Sequence, residues 1–443
     1  MAILPRGGLT SAQLAALATS GLTNGAGGAV RANIIAAIGD SRVLQCTTNT
    51  ATQQYLPNLS FIAHAISQSH NNLQFPLSMN FGVGGDTTTM VLARIDSALD
   101  AMVAAGVRYC AVRVGTNDIV AASRTVADTT TDLGEIYRRI RVRGITCLAY
   151  AETPRSNDGG GGTLSQSLRK KITALSEFAR DYAADNDGVV FIDATSELVD
   201  YAATGVDLGD PIGGNTAAVT AVMYDGLHDA VRCAFRLGKK TAEAIDADLK
   251  ATRATFFTNA ADLYHVTDNP LGNLLTNGLF VGTGGALSSA TGTVADSFTL
   301  QKIAGAGTVV GSKTTQLNEN GTTTAMQAIT LSGAATAKLY EQLYTDTRFT
   351  VGDVVFAECE VFVTAANGLL DLYLQTDAGT QVGRSMHTVG SFYWPDGTYS
   401  VPMRTPDITV TSNAAVTWYF LVSTDTGGSV QVELSNATWR HAD

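Results

Sequence analysis

The sequence predicts an α/β domain built on a parallel sheet, followed by an all-β domain. In the N-terminal part, short apolar runs alternate with amphipathic helical patterns. The C-terminal part is rich in Thr, Gly and Val, is sparsely charged, and shows no long amphipathic helix. The length of 443 residues also exceeds that of one ordinary domain. We therefore place a domain boundary between about Lys250 and Asn273.

Five short apolar runs, several followed directly by glycine, are typical of buried parallel strands. Helical patterns lie between or after them, so helices are expected to cover both faces of the sheet. Ligands of such sheets bind at the carboxyl ends of the strands. The predicted strands span 34–38, 77–83, 109–114, 145–150 and 189–192, and the clearest helical patterns span 88–105, 164–184 and 230–249.

The second half contains β-branched and aromatic runs separated by turn sequences, a pattern that predicts an antiparallel sandwich or jelly roll. The predicted strands are 349–363, 369–375, 391–401 and 416–422, with turns at 377–379, 395–397 and 425–428. All three tryptophans lie in this half. Trp394, beside a turn, is expected either to stack on a sugar ring or to join the core. Trp418 is expected in the core and Trp439 at the domain edge.

Composition excludes several classes of protein. The net charge of −11 disfavours binding to nucleic acid or to an anionic membrane. Five scattered cysteines form neither a disulfide framework nor a zinc motif, so we expect them free and mostly buried. Without a phosphate-binding loop or a metal-ligand cluster, no cofactor and no metal are expected. We find neither a long apolar run for membrane insertion nor a Sec-type leader in residues 1–30.

A serine, a pair of glycines and an asparagine follow the first, second and third predicted strands. Ser41, in Gly-Asp-Ser, lies where a nucleophile or a helix N-cap would lie. Gly84 and Gly85 suit either close backbone approach to a ligand or a simple βα turn. Asn117 has a side-chain amide that can stabilise an oxyanion or form an Asx turn. Each motif alone is weak evidence for catalysis.

A fourth motif, Asp225-x-x-His228, precedes the last helical pattern of the first domain. At this spacing the carboxylate can reach the imidazole, where it would fix the tautomer of a general base. The alternative is a surface pair or a helix cap. Asp118, after Asn117, is expected to cap a turn.

The four motifs in this order resemble those of the SGNH hydrolases, also called the GDSL esterase/lipase family, over about residues 30–250. The resemblance implies a flavodoxin-like α/β/α sandwich with a five-stranded parallel sheet. It further implies that Ser41 is the nucleophile, His228 the general base and then acid, and Asp225 the residue that orients His228. The implied oxyanion hole comprises the backbone amides of Ser41 and Gly85 and the side-chain amide of Asn117, with Gly84 as an alternative to Gly85.

One residue departs from the family pattern. The family often has Leu after Gly-Asp-Ser, whereas this chain has Arg42. We expect Arg42 at the surface, with contact to an anionic substrate as the alternative.

The whole chain resembles phage tail fibres and tailspikes that carry an SGNH domain, and the sequence after Asn273 resembles the opening of carbohydrate-binding jelly rolls. We expect an arm at 1–29, a hydrolase domain at 30–250, a linker at 251–272 and a sandwich at 273–443 that binds sugar or assembles the protein. The resemblance implies a virion-tail homo-oligomer, such as a trimer, that deacetylates capsule or O-antigen. Alternatives are a secreted bacterial esterase acting on plant polysaccharide, a lipase or lysophospholipase, and a non-catalytic glycan-binding fibre.

Overall fold

The computed structural model describes most of both predicted domains. The described residues are 33–50, 53–159, 162–205, 208–213, 220–249, 262–317, 323–344, 347–388 and 392–442. The predicted arm at 1–29 and residues 251–261 of the predicted linker lie outside the described residues. Residues 262–272 lie against the C-terminal part, where Asp262 forms an ion pair with Arg440.

The first domain contains a five-stranded parallel sheet in the order β4-β1-β5-β6-β7. This confirms the predicted α/β fold. The strands are β1 (Ile35–Gly39), β4 (Asn80–Gly82), β5 (Tyr109–Arg113), β6 (Thr146–Tyr150) and β7 (Val189–Ile192). The helices are α1 (Ser41–Leu44), α2 (Phe61–Gln68), α3 (Thr88–Ala104), α4 (Thr116–Val120), α5 (Val126–Val142), α6 (Gln166–Asp185), α7 (Thr195–Leu198) and α8 (Val231–Ile245). Short 3₁₀ turns occupy Leu77–Met79 and Asp246–Asp248.

Local sequence explains how these elements form. Every residue of β1 and β5 is buried, as expected for central strands covered on both faces. Four of the longer helices begin with a side-chain cap, in which Ser or Thr accepts a backbone N–H three residues on; the caps are Ser60, Thr87, Thr125 and Ser165. None of the helices in the described ranges is long and apolar enough to cross a membrane.

The second predicted strand is shorter than expected. The sequence predicted a strand over 77–83, but Leu77–Met79 forms a 3₁₀ turn and only Asn80–Gly82 pairs with β1. The prediction was too long because apolar residues also occur in a turn that packs against the core. In this turn Met79 is buried, Leu77 is partly buried and Ser78 is exposed.

The C-terminal part is all-β, as predicted. Its strands are β8 (Gly284–Ser288), β9 (Thr291–Gly292), β10 (Val294–Ala304), β11 (Thr308–Leu317), β12 (Thr323–Ser332), β13 (Ala335–Tyr344), β14 (Val354–Ala378), β15 (Gln381–His387), β16 (Tyr399–Ser400), β17 (Met403–Arg404), β18 (Ile408–Thr409) and β19 (Ala415–His441). Together with β2 (Thr48–Asn49) and β3 (Gln53–Pro57) they form one hydrogen-bonded network of 14 strands. The two long strands β14 and β19 pair with each other along most of their length.

Two local predictions in this part are wrong. The turn expected at 425–428 lies within β19, where it forms an irregularity opposite Gly368. Glycines permit a bulge as readily as a turn, and the two are not distinguished by local sequence. The strand expected at 391–401 is mostly irregular in its described residues, with only Tyr399–Ser400 pairing with β14.

Backbone hydrogen bonds join the first domain to the C-terminal part. Strand β3 follows α1 of the first domain in sequence, yet it pairs in parallel with β15 of the C-terminal part. The backbone N–H of Asn58 also donates to the carbonyl of His387 at 2.8 Å. Buried apolar side chains of both parts consequently form one continuous cluster.

Candidate active site

Ser41 lies at the carboxyl edge of the parallel sheet, where it is the first residue of α1 directly after β1. Asp40 caps this short helix, because its carboxylate accepts the backbone N–H of Arg42 at 3.0 Å. Gly82 allows α1 to lie this close to β4, since a Cβ there would lie 2.1 Å from the backbone nitrogen of Leu44. The tight packing of α1 fixes the position of the serine.

The structure brings Ser41, His228 and Asp225 into one hydrogen-bonded chain. His228 Nε2 lies 2.9 Å from Ser41 Oγ, and His228 Nδ1 lies 2.6 Å from Asp225 Oδ2. The other oxygen of Asp225 accepts the backbone N–H groups of Leu227 at 3.0 Å and of His228 at 2.7 Å. This is the arrangement in which a serine hydroxyl can pass its proton to an imidazole that a carboxylate orients.

The Asp225 carboxylate is held in its charged form. Partial burial acts to raise its pKa, but the hydrogen bonds and charge from His228 and the N–H of Leu227 outweigh burial and lower the pKa from its ordinary value. A charged Asp225 accepts the Nδ1 proton of the His228 ring, and this orientation turns Nε2 toward the hydroxyl of Ser41.

Two of the three predicted oxyanion donors, Gly85 and Asn117, lie on neighbouring segments that contact each other. Gly85 has φ +82°, a left-handed conformation that favours glycine, whereas Gly84 does not require one. Asn117, in the first turn of α4, donates its side-chain amide to the carbonyl of Asp86 at 3.1 Å. Asn117 is thereby placed beside the Gly85 loop. Whether Gly84 or Gly85 donates to an oxyanion stays a prediction.

The expectation that Arg42 lies at the surface is wrong. Its guanidinium is almost fully buried and contacts Asp40 at 2.7 Å and Glu152 at 2.6 Å. Burial alone would lower the pKa of Arg42, but the two carboxylates outweigh burial and keep the pKa well above the ordinary value. Both carboxylates lie at the carboxyl ends of strands, so Arg42 ties the Ser41 turn to the end of β6.

A second buried ion pair supports His228. Asp229, the next residue in the chain, pairs with Arg113 at the end of β5, and Arg113 also donates to Thr153 Oγ1 at 3.2 Å. The Arg113 guanidinium lies 5.0 Å from the ring centre of Phe61, consistent with a cation–π contact. Arg113 and Asp229 are 116 positions apart, and Arg42 and Glu152 are 110 positions apart, so neither of these two pairs had a local signal by which it could be predicted.

The loop that carries Asp225 and His228 is closed by backbone hydrogen bonds. The N–H of Tyr224 donates to the carbonyl of His228 at 3.0 Å, and Asn157 donates its amide to the carbonyl of Asp225 at 3.1 Å. The ring of Tyr224 stacks on His228 with centroids 5.5 Å apart, and Gln45 donates to the Tyr224 hydroxyl at 2.8 Å. Sequence reasoning did not identify Tyr224, Gln45 or Asn157.

The remaining candidates have structural contacts. Asp118 accepts the backbone N–H and the hydroxyl of Thr88 at 2.9 and 2.6 Å, and pairs with Arg124. It therefore holds the start of α3. All five cysteines are free and buried, as predicted. Within the described ranges, no group of three or more His, Cys, Asp or Glu side chains is arranged to hold a metal ion.

The tryptophan predictions are settled in favour of the core. Trp394, Trp418 and Trp439 are all fully buried, so Trp394 is not exposed for stacking on a sugar and Trp439 is not at an exposed edge. Trp394 packs 5.2 Å from the ring of His64, at the contact between the two parts of the chain.

Comparison with known proteins gives a family match and a set of similar solved structures. Residues 37–228 match the model of the GDSL-like Lipase/Acylhydrolase family. The fold is similar to that of a lipolytic protein of the G-D-S-L family from Veillonella parvula, with 16% identity, 49% of this chain and 100% of that chain covered, and a TM-score of 0.34. It is also similar to a catalytic mutant of an acetylxylan esterase from Geobacillus stearothermophilus, with 11% identity, 49% and 94% coverage, and a TM-score of 0.34. No curated protein matched the chain.

The family match spans the Ser41 turn, the Asn117 loop and His228, and it ends at that histidine. It covers the parallel sheet and does not extend into the C-terminal β part. The first domain of this chain therefore has the α/β fold of the SGNH/GDSL hydrolases and matches the family model over residues 37–228.

Proposed function

We propose that this protein is a serine acetylesterase that removes O-acetyl groups from bacterial surface polysaccharide, as part of a phage tail fibre or tailspike. The observation that carries the ester hydrolysis is the hydrogen-bonded chain from Ser41 Oγ through His228 to Asp225. The proposal includes a homo-oligomer that acts at the virion tail. Both of these features rest on the resemblance of the domain order to that of phage tail fibres and tailspikes that carry an SGNH domain.

The geometry supports a two-step reaction. Ser41 Oγ attacks the ester carbonyl carbon while His228 Nε2 accepts the hydroxyl proton, and charge develops on the carbonyl oxygen. The amides of Ser41 and Gly85 and the side chain of Asn117 are the proposed donors to that oxygen. His228 then gives the proton to the departing sugar oxygen. Water, activated by His228, releases acetate and restores Ser41.

The C-terminal part supports a polymeric substrate. It contributes a large β surface that packs directly against the hydrolase domain through β3 and β15. Jelly rolls include lectin domains, so a β domain beside an esterase can hold a glycan near the hydrolytic site. The acid excess of the chain does not favour an anionic lipid surface.

A second candidate, hydrolysis of a longer acyl ester, is favoured by one observation. Three apolar side chains near the motif residues are exposed: Leu44 by 48%, Val83 by 43% and Met90 by 54%. Leu44 belongs to the helix that begins at Ser41, and Val83 precedes Gly84. Exposed apolar groups at a reactive serine would stabilise a bound acyl chain by removing it from water.

Acetate release from purified O-acetylated capsule and O-antigen tests the proposal, with Ser41→Ala and, as a matched control, Ser97→Ala at an exposed helical serine. We expect release by the wild type and by Ser97→Ala, and a loss of at least about a thousandfold in Ser41→Ala, because no other group replaces the nucleophile. A series of aryl esters from acetyl to decanoyl separates the candidates. Preference for the long chains, without acetate release from polysaccharide, would overturn the acetylesterase proposal in favour of the second candidate.

A further inference from the structure

A loop of the C-terminal part reaches the catalytic loop. Phe392 lies 6.0 Å, centroid to centroid, from Tyr224, the residue whose ring stacks on His228. Both rings are partly buried and pack against the common core. An aromatic chain from Phe392 through Tyr224 to His228 thus crosses from the β part into the hydrolase site.

The loop that carries Phe392 is anchored on the hydrolase domain at several points. Asp396 forms a 3.0 Å ion pair with Arg232, close after His228 in the chain. Tyr399 packs against Phe235 of α8 with centroids 5.1 Å apart. The amide of Gln68, at the end of α2, donates to the carbonyl of Ser400 at 3.1 Å. These contacts fix residues 392–400 relative to α2 and α8.

Tyr224 has few other supports for its position. Its hydroxyl accepts one hydrogen bond from Gln45, and its backbone N–H is bonded within the loop to His228. The face of the ring is set by its two aromatic neighbours, His228 and Phe392. Loss of Phe392 would allow the Tyr224 ring to move into the vacated space. The imidazole would then lose the fixed ring stacked on one of its faces, and Asp225 would remain to orient it.

We propose that the C-terminal part completes the hydrolase site, with Phe392 as a positioning residue that holds His228 through Tyr224. The inference rests on the proposed serine chemistry and goes beyond it, because it assigns the β part a role in reactivity that is separate from any role in binding substrate or in assembly. A small displacement of the general base is sufficient to slow proton transfer from Ser41.

Reaction of the full chain with a small alkyl fluorophosphonate tests this inference without the natural ester. In that reaction Ser41 Oγ bonds to phosphorus, fluoride leaves, and the hydroxyl proton passes to His228, so the rate reports the Ser41–His228 pair directly. Intact mass gives the maximal rate of modification and the half-saturating reagent concentration. The variants are Phe392→Ala, Phe392→Leu and, as a matched control, Tyr340→Ala, a partly buried aromatic of β13.

We expect the maximal rate to fall about tenfold in Phe392→Ala, with the half-saturating concentration unchanged, to recover largely in Phe392→Leu, and to remain at the wild-type value in Tyr340→Ala. Thermal melting of each variant shows whether it is folded at the temperature of the assay. A folded Phe392→Ala that reacts at the wild-type rate would overturn the inference and leave the proposed esterase intact. Failure of the wild type to be modified at Ser41 would overturn the serine chemistry itself.

Discussion

At the scale of single residues, the site depends on a buried charge network directly behind Ser41. Arg42, Asp40 and Glu152 are all buried, and Asp40 also caps the helix that Ser41 begins. An ion pair of this kind adds little net stability over apolar packing, but removal of one partner leaves an uncompensated buried charge. The network therefore makes the position of Ser41 sensitive to Arg42.

We predict that Arg42→Met lowers the free energy of unfolding by about 3–5 kcal/mol, because Asp40 and Glu152 lose their shared cation. Urea titration followed by circular dichroism gives the change. The matched control is Arg138→Met, which removes a half-exposed pair with Glu135 and should leave the free energy of unfolding nearly unchanged, because water screens the pair. Equal effects of the two substitutions would contradict the role of burial.

The residues of the site were predictable to different degrees. Ser41 and Asn117 lie in short motifs at predicted strand ends, and the Asp225–His228 pair precedes a predicted helix. Local sequence and chain order were therefore sufficient to select them as candidates. Arg42 was misplaced because a charged residue after a turn is usually exposed, and its two carboxylate partners include one 110 positions away. Local sequence carries no information about such a partner.

At the scale of elements, a close contact between α2 and α8 supports the segment that carries His228. Gly238 of α8 faces α2, where an added Cβ would lie 2.4 Å from the Cβ of His64 and 2.6 Å from the backbone nitrogen of Ala65. Helix α8 begins three residues after His228, and α2 carries the contact to Trp394. Separation of the two helices would therefore disturb both the catalytic loop and the contact with the β part.

We predict that Gly238→Ala destabilises the protein by about 1–3 kcal/mol, because backbone atoms must move to accept the methyl group. Gly427→Ala is the matched control, since its added Cβ meets nothing within 4 Å and should change stability little. The shift in thermal midpoint of each variant gives the comparison. A Gly238→Ala protein as stable as the control would mean that α2 and α8 adjust at little cost.

The elements of the first domain were predicted well, because the periodicity of apolar residues there matched their burial. The strands of the β part were predicted poorly. Four of the five parallel strands and the three predicted helices lie close to their predicted bounds, because Gly and capping residues delimit them. The long helix α5 was not predicted. The runs at 349–363 and 369–375 instead belong largely to one 25-residue strand, β14. Its continuation past Gly368 depends on pairing with β19, which is a long-range property of the sheet.

At the scale of the whole molecule, the hydrolase domain and the β part meet around a buried histidine. His64 is fully buried on α2, between Phe235 of α8 and Trp394 of the β part. Its Nε2 lies 3.0 Å from the carbonyl of Asn58, whereas Nδ1 has no hydrogen-bond partner among the described residues. Burial lowers the pKa of His64 to about 4, so this contact requires the neutral ring.

The sign of the pH dependence follows from this pKa. The folded-state pKa lies below the unfolded value of about 6.5, so the unfolded chain takes up the proton first as the pH falls. Stability from neutral His64 is fully present above about pH 6.5 and is lost progressively toward about pH 4, by about 3 kcal/mol in total. Because His64 contacts Trp394, the loss should loosen the contact between the two parts of the chain.

We therefore predict that the urea midpoint falls between pH 7.5 and pH 4.5 in the wild type, and that it falls less in His64→Gln, whose amide can still donate to Asn58 but does not titrate. His265→Gln is the control, because His265 is 57% exposed and its substitution should leave the wild-type slope unchanged. Other carboxylates contribute to the slope of all three proteins equally, so only the difference between them reports His64. If the urea midpoints of His64→Gln and of the wild type fell in parallel across this range, protonation of His64 would not contribute to the loss of stability on acidification.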